Sequence, residues 1–269
     1  MPKITVITTT YRPWNRLLDQ AKDLEAQQFK DFEWIVVDDL LWKRDSSPKT
    51  IFPLLHTEPK GGVVDYFAPA RADNTALAFA NGELVYFMND YIRLTPSTLS
   101  QHWAAYQKYG PRAFFAGQLV PMDGEVSYPL RKGEVVIGPQ AQEAFSLDSA
   151  AVWTYAAGRN DSAPLAALLE INGLDEDFDG DRGGSDVDLA QRLIMAGLRY
   201  ILLQDCIAFE YAHHAVRNVN YAWEKELPRK GSWDRIVRGY RPAKVRAEHK
   251  WDIAKDRHTG DLLWQKSLQ

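Results

Sequence analysis

Three apolar segments, each followed by polar side chains, constrain the fold of this chain more than any other feature. They are Lys3–Thr9, Glu33–Asp38 and Glu83–Met88, and each is rich in β-branched or aromatic residues. Such segments are typical of strands buried on both faces of a sheet. The spacing of apolar residues predicts helices at 14–29, 70–80 and 96–109. This alternation predicts an α/β, Rossmann-like fold with a mainly parallel central sheet flanked by helices.

The second half of the chain continues the pattern less regularly. We expect a strand at 63–67, short strands and loops broken by glycine and proline at 111–153, helices at 163–171 and 186–196, and a strand at 199–203. After residue 214 the composition changes. Residues 215–269 hold thirteen Lys or Arg against seven Asp or Glu, and four of the nine tryptophans. We predict one domain at 1–214 and a C-terminal arm at 215–269 that packs on the domain or on a partner. The alternative is that its aromatic and basic side chains shape an acceptor site or a donor lid.

The overall composition excludes several classes of protein. With 45% hydrophobic and 25% charged residues the chain has the composition of a folded protein. A net charge of −4 disfavours a protein whose main task is to coat nucleic acid, although the basic arm could meet nucleic acid or an anionic lipid surface. A single cysteine, Cys206, allows no intrachain disulfide. The first ten residues turn polar too early for a signal peptide, and no apolar run reaches the ~18 residues of a membrane span. We therefore expect a cytoplasmic protein.

Polar clusters follow three of the predicted strands. Thr8–Tyr11, Asp38–Asp39 and Asn89–Asp90 stand where the strands end. Ligands of open α/β sheets bind at the carboxyl ends of the strands, so these clusters predict one site. Two adjacent carboxylates also repel each other, which a hydrogen-bond donor on a ligand would offset. A helix cap or a turn pair is the alternative for the two aspartates.

A fourth polar segment, residues 171–189, is rich in Asp and Gly. Its glycines at 180, 183 and 184 allow close backbone approach to a substrate, and Ser185 or Asp186 begins a helix. Asp186 and Asp188 point in different directions on that helix and should not share a role. The spacing of an EF-hand calcium loop is missing. Asp186 is either an open carboxylate able to act as a base or a helix cap.

Four motifs of the chain resemble, in their sequence and order, those of family 2 glycosyltransferases, which are inverting nucleotide-sugar enzymes of the GT-A fold. The resemblance covers residues 3–214. The motifs are Thr10-Tyr11-Arg12-Pro13, the segment Gln27-Gln-Phe-Lys-Asp-Phe-Glu33 with Val36-Val-Asp-Asp39, Ala72-Asp73-Asn74 with Arg71 nearby, and Asn172-Gly-Leu-Asp-Glu176 followed by Gly183-Gly-Ser-Asp-Val-Asp-Leu189.

The resemblance implies transfer of a sugar from a nucleotide diphosphate, expected to be UDP, to a hydroxyl acceptor with inversion. Residues 1–110 would form the nucleotide-binding half and 111–214 the acceptor and catalytic half. Asp39 would accept the imide hydrogen of uracil, and Asp186 would be the general base. By resemblance the donor is held by Thr8, Thr10, Tyr11, Arg12, Asp38, Asp39, Arg71, Asn74, Asn89, Asp90 and Tyr91. The acceptor side would include Gly183, Gly184 and Ser185.

The chain departs from the family where a metal ion is expected. Asn89-Asp90-Tyr91 replaces the metal-binding Asp-x-Asp motif, and Ser185 stands where the family has Glu before the base. The resemblance implies a divalent Mn²⁺ or Mg²⁺ held by Asp90 and His214, with His213 as the alternative ligand. The two histidines could instead be structural. A metal-independent enzyme that uses Arg71 or Arg217, and a degenerate enzyme, remain the other hypotheses.

Two other functions compete with transfer. A non-catalytic module that binds sugar nucleotides or glycans would keep the fold with an eroded metal site. A nucleotidyltransferase would share the fold, but its Gly-rich loop after the first strand is missing here. The acceptor hydroxyl could belong to a glycan, a protein, a lipid carrier or a modified nucleic acid.

Overall fold

The computed structural model describes residues 1–11, 15–62, 64, 68–122, 135–137, 160–180, 185–211, 246–247 and 251–258. The strands in these ranges are β1 (Ile4–Thr10), β2 (Phe32–Asp38), β3 (Leu54–Thr57), β4 (Leu84–Phe87), β5 (Ile92–Leu94), β6 (Ala113–Pro121), β7 (Val135–Ile137), β8 (Asp161–Pro164) and β9 (Arg199–Glu210). The helices are α1 (Asn15–Glu25), α2 (Pro69–Phe79), α3 (Thr98–Tyr109), α4 (Leu165–Glu170), α5 (Ser185–Met195) and α6 (Ile253–His258). Single 3₁₀ turns lie at Leu41–Lys43 and Glu176–Phe178.

All nine strands belong to one sheet, in the order β3-β2-β1-β4-β8-β6-β9-β5, with β7 paired to β9. The first four strands are parallel, and β6 is parallel to β9. β8 runs antiparallel to β4 and β6 and joins the two parallel parts. The carboxyl ends of β1, β2 and β4 therefore lie side by side at one edge.

Helices cover both faces of the sheet, because side chains alternate along the central strands. Ile4 and Val6 of β1 pack with the apolar faces of α1 and α3. Ile7, one residue further, packs on the opposite face with residues of α2, α4 and α5. Trp34 and Ile35 of β2 divide between the faces in the same way. The predicted sheet flanked by helices is confirmed.

Several elements differ from the prediction. Residues 161–164, whose last two were predicted to begin a helix, form β8, because they fill the gap between β4 and β6 and bury Ser162 and Ala163 there. Helix α4 starts only after Pro164. Strand β9 extends the predicted strand to Glu210, and β3 and β5 were not predicted.

Gly117 does not break β6, contrary to the prediction. The strand continues through it with a register shift against β9 between Gly117 and Gln118. A Cβ at this position would lie 2.1 Å from Asn160 Nδ2 and 2.5 Å from the carbonyl oxygen of Cys206. Glycine is therefore required here by close packing.

The predicted strand at 63–67 falls mostly outside the described residues, as does most of the C-terminal arm. None of the helices in the described ranges combines the length and the apolarity needed to cross a bilayer.

Candidate functional site

The parallel registers bring the predicted strand-end clusters together. Thr10 pairs with Asp38 across β1 and β2, and the backbone amide of Asp39 donates to the carbonyl of Thr10 over 2.9 Å. On the other side of β1, Thr10 Oγ1 donates to Asp90 Oδ2 over 2.6 Å. Thr10 thus links Asp39 and Asp90 at one edge of the sheet, as the strand pattern predicts.

Asp39 presents a carboxylate with spare hydrogen-bonding capacity. Its side chain is half-buried, and its Oδ1 atom is buried without a hydrogen-bond partner among the described residues. Burial raises the pKa of Asp39 to about 6, a shift that the positive charge of Arg71 opposes and the neighbouring Asp38 reinforces. A buried acceptor without a partner is costly, so this atom is suited to a donor group on a ligand.

Asp38 has a different environment although it is adjacent in sequence. Its fully buried carboxylate accepts hydrogen bonds from the Leu40 amide (2.8 Å), Arg44 Nε (2.8 Å) and His56 Nε2 (3.0 Å). Burial alone would raise the pKa of Asp38, but the bonds from His56 and Arg44 outweigh it and lower the value. Because its oxygens hold the loop after β2, contact of Asp38 with a donor stays a prediction.

The predicted residues at the end of β1 divide into buried and accessible positions. Thr8 is buried, and its Oγ1 accepts a hydrogen bond of 3.0 Å from Trp34 Nε1. Tyr11 is half-buried, and Arg12 lies outside the described residues. Because the Thr8 hydroxyl is bonded within the protein, contact of this segment with a nucleoside stays a prediction.

Helix α2 places Arg71 and Asn74 beside this edge. Arg71 Nη2 donates to the carbonyl of Gly62 over 2.8 Å, while its Nε atom is buried without a partner in the part of the chain that the structure describes. Asn74 is buried, donates to the Leu174 carbonyl over 2.9 Å and accepts from the Leu174 amide over 2.8 Å. Arg71 is close enough to lower the pKa of Asp39 through its charge, whereas Asn74 holds the acidic loop, residues 171–180, that precedes α5.

Several aspartates interact with one another around the start of α2. Asp179 accepts hydrogen bonds from the amides of Ala70 (2.9 Å) and Arg71 (3.0 Å). Burial raises the pKa of Asp179 to about 7 despite these bonds. Burial, followed by the charges of Asp179 and Asp186, holds the pKa of Asp73 well above its usual range. These interactions place Asp186 within electrostatic reach of Asp73.

Asp186 and Asp188 separate at the start of α5. Asp186 is half-buried and its Oδ1 accepts from the Val187 amide over 2.8 Å. Asp188 is fully buried, and Arg192 Nη2 lies 2.7 Å from its Oδ2. The predicted divergence of the two side chains is confirmed. Ser185 is the first residue of α5, and Gly183 and Gly184 lie outside the described residues.

The described residues at the end of β4 offer a divalent cation a single carboxylate, that of Asp90. Asp90 is buried and accepts the bond from Thr10, and Asn89 Nδ2 donates to Tyr91 Oη over 2.9 Å. The described residues contain no group of three or more His, Cys, Asp or Glu able to hold a metal ion. Mg²⁺ is usually bound through one or two carboxylates, with waters and substrate phosphates as its other ligands, so a metal held by Asp90 together with a donor diphosphate stays a prediction. The other predicted ligands, His213 and His214, lie outside the described residues.

Sequence reasoning missed four residues of this region: Arg44, His56, Asp73 and Asp179. Arg44 and His56 carry no spacing signal that links them to Asp38. Asp73 lies in the Ala72-Asp73-Asn74 motif and Asp179 in the polar segment 171–189, but the sequence pattern predicts no role for either. Only the folded chain shows that Asp73 interacts electrostatically with both Asp179 and Asp186.

The chain matches a family model and several solved structures. The model described as Glycosyl transferase family 2 matches residues 5–162. S. aureus TarS 1-349, solved in complex with UDP-GlcNAc, is 18% identical with a TM-score of 0.61, over 78% of this chain and 59% of that one. A mannosyltransferase from Pyrobaculum calidifontis in complex with GDP-Man and Mn²⁺ is 19% identical with a TM-score of 0.55, over 96% of this chain and 70% of that one.

GalNAc-T7, solved with UDP, GalNAc and Mn²⁺, is 10% identical with a TM-score of 0.53, over 78% of this chain and 44% of that one. No curated protein matches the sequence. The chain spans about 60% of the TarS fragment that was solved with UDP. At these identities the likeness shows a shared GT-A fold.

Proposed function

The chain belongs to glycosyl transferase family 2, and we propose that it transfers a sugar from a UDP-sugar to a hydroxyl acceptor with inversion, using Asp186 as the general base. The observation that carries the proposal is the position of α2. Its Arg71 interacts electrostatically with Asp39 at the sheet edge, and its Asp73 does so with Asp186. Helix α2 thus lies beside both Asp39, the carboxylate proposed to bind the nucleobase, and Asp186, the proposed general base.

On the donor side, the ionised carboxylate of Asp39 would accept the imide hydrogen of uracil. This bond satisfies the Oδ1 atom that has no partner among the described residues. It also distinguishes uracil from cytosine, whose corresponding ring nitrogen carries no hydrogen. Arg71 lies close enough to lower the pKa of Asp39, and its buried Nε has capacity for a phosphate oxygen.

On the acceptor side, Asp186 would remove the proton of the attacking hydroxyl. The hydroxyl oxygen forms a bond to the anomeric carbon while the bond to the nucleoside diphosphate breaks on the opposite face, so the configuration inverts. A hydroxyl is a weak nucleophile without a base. The departing diphosphate requires positive charge, which Arg71 supplies within the described residues.

One observation favours a second candidate, a binding module without turnover. Asn89 and Asp90, which stand in place of the metal-binding motif, are both engaged in hydrogen bonds within the protein. A protein that binds a UDP-sugar or a glycan through Asp39 would need neither a metal nor a base.

The test compares wild type, Asp186→Asn and the control Asp177→Asn, which changes an exposed aspartate of the same acidic segment. UDP release from a panel of UDP-sugars is measured with and without Mn²⁺, together with UDP affinity. Loss of the base should lower kcat by roughly 10²–10⁴-fold and leave UDP affinity unchanged. Asp177→Asn should retain activity.

Two outcomes would contradict the proposal. Retained turnover in Asp186→Asn would remove its role as the base. Binding of UDP-sugars by the wild type without turnover of any of them would favour the binding module.

A further inference from the structure

A short C-terminal segment is built into the body of the protein. We call the described residues 246–247 and 251–258 the C-terminal brace. Its Ile253 is fully buried in the core on the α2 face of the sheet. The amide of Ile253 donates to Asn172 Oδ1 over 3.0 Å, and the amide of Ala247 donates to the carbonyl of Ile171 over 2.9 Å. The brace is therefore hydrogen-bonded to the start of the acidic segment.

The acidic loop is shaped to fit between the brace and α2. Asn172 has a φ of 60° and Gly173 a φ of 69°, both in the left-handed region. A Cβ on Gly173 would lie 2.3 Å from Asn74 Oδ1 and 2.6 Å from Ile253 Cδ1. The loop backbone thus passes so closely between Asn74 of α2 and Ile253 of the brace that no side chain fits at Gly173.

Glu176 joins the same two elements through its side chain. Its Oε1 atom accepts hydrogen bonds from Trp251 Nε1 over 2.7 Å and from Asn74 Nδ2 over 3.0 Å. Bonds to a carboxylate are stronger than those between neutral groups. Three residues after Glu176, Asp179 binds the amides at the start of α2, and six residues further α5 begins. Glu176 is therefore an anchor of the loop that leads to Asp186.

The indole ring of Trp251 also contacts the donor side of the molecule. Lys60 Nζ lies 4.0 Å from the ring centroid and 2.9 Å from Asp256 Oδ2 of the brace. Cation–π contacts of this kind are attractive. The backbone amide of Lys60 donates to Thr75 Oγ1 of α2 over 2.9 Å. Two residues later, the carbonyl of Gly62 accepts the bond from Arg71 Nη2.

We propose that Trp251 is a positioning residue, which sets the spacing between the donor side at Arg71 and the base side at Asp186. It does so by holding Glu176 with its indole N–H and Lys60 with its ring face. The role rests on the proposed transfer reaction, although the contacts themselves do not. A C-terminal arm that only covered the body would not need to contact both sides of the site.

The test uses Trp251→Phe, which keeps a ring beside Lys60 and removes the bond to Glu176. The matched control is Trp103→Phe, a half-buried tryptophan on α3 whose ring centroid lies 5.7 Å from Lys3 Nζ on the opposite face. Trp251→Phe should lower kcat for UDP release by roughly ten- to hundredfold, because small misplacements of reacting groups have effects of this size. KM for the donor should change less than kcat, and Trp103→Phe should change neither.

Hydrogen exchange provides a readout that does not need turnover. In Trp251→Phe the amides of Leu174, Ala70 and Arg71, which depend on Asn74 and Asp179, should exchange at least several-fold faster than in Trp103→Phe. Unchanged exchange at these amides, or unchanged kcat in an active enzyme, would overturn the positioning role. If the wild type is inactive on every donor, the transfer reaction fails, and the exchange rates alone decide the role of Trp251.

Discussion

At the scale of single residues, Asp38 and Asp39 show how two adjacent carboxylates acquire opposite properties. Asp38 is stabilised as an anion by Arg44 and His56, and its pKa is lowered. Asp39 Oδ1 has no such bond from any residue that the structure describes, and burial raises the pKa of Asp39 to about 6. The paired residues therefore divide into one that supports the loop and one that is available to a ligand.

This difference predicts a pH dependence of donor binding. A protonated Asp39 cannot act as a charged acceptor for an imide hydrogen. Affinity for a UDP-sugar, whose diphosphate does not titrate near pH 6, should be constant above about pH 7 and fall below pH 6. The fall should approach tenfold per pH unit for a single protonation. Isothermal titration calorimetry between pH 5 and 8 measures it.

Asp39→Asn provides the control for this prediction. Its affinity should be lower at pH 8 and nearly independent of pH. Because the pKa of Asp39 is raised by folding, ionisation of this carboxyl opposes folding as pH rises through 4 to 6. Without ligand, Asp39→Asn should thus melt at a higher temperature than wild type at pH 8, with a smaller difference at pH 5. A pH-dependent affinity that survives in Asp39→Asn would assign the titration to another group.

At the scale of secondary-structure elements, a buried arginine, Arg192, ties α5 to the acidic loop. Arg192 Nε donates to Asp188 Oδ2 over 2.8 Å, one turn apart on the helix. Arg192 Nη1 also reaches the carbonyls of Gly173 (2.7 Å) and Ile171 (3.2 Å). The helix that carries Asp186 is thereby fixed to the loop that Asn74 and the brace hold.

Arg192→Ala should be strongly destabilising, because it leaves the carboxylate of Asp188 buried without its cation. Loss of one partner of a buried pair costs roughly 3–5 kcal/mol of the free energy of unfolding. Urea denaturation measures the change. In the control Arg112→Ala, which removes an exposed pair with Glu170, the loss should stay below about 1 kcal/mol. Equal losses in the two variants would contradict the structural importance of the buried pair.

At the scale of the whole molecule, the hydrophobic core continues past residue 214, where the charge of the chain changes from acidic to basic. The last 55 residues hold the excess of basic residues and four tryptophans, which predicts an arm after residue 214 that packs on the domain or on a partner. The described part of that arm contributes Ile253 to the main core and Trp251 to the contacts around Glu176. We therefore propose that the body and the brace unfold as one unit.

Ile253→Ala tests this cooperativity. Removal of a fully buried isoleucine should lower the free energy of unfolding by roughly 2–5 kcal/mol. Urea unfolding should remain a single transition, followed by circular dichroism and by tryptophan fluorescence. Ile51→Ala, at a position that is 82% exposed, is the control and should change stability little. If Ile253→Ala leaves the main transition unchanged, the brace is only loosely attached.

The sequence by itself determined the sheet, its coverage by helices and the edge that carries the site. These properties follow from local patterns: apolar runs in β1, β2 and β4, and polar residues where those strands end. The carboxyl ends of neighbouring parallel strands must lie at the same edge, so Asp39 and Asp90 could be placed there without coordinates. Short strands with weak patterns were not predicted, as in β3, β5 and β8, the last of which ends at Pro164.

Only the tertiary structure decided which side chains satisfy one another. Asp38 and Asp39 are equivalent in the sequence, and their difference depends on where Arg44 and His56 arrive. Glu176 and Trp251 are 75 residues apart, and no local periodicity relates them. A pairing between distant side chains depends on how the intervening chain folds back. The different environments of Asp38 and Asp39 and the contacts of Trp251 therefore become visible only in the folded chain.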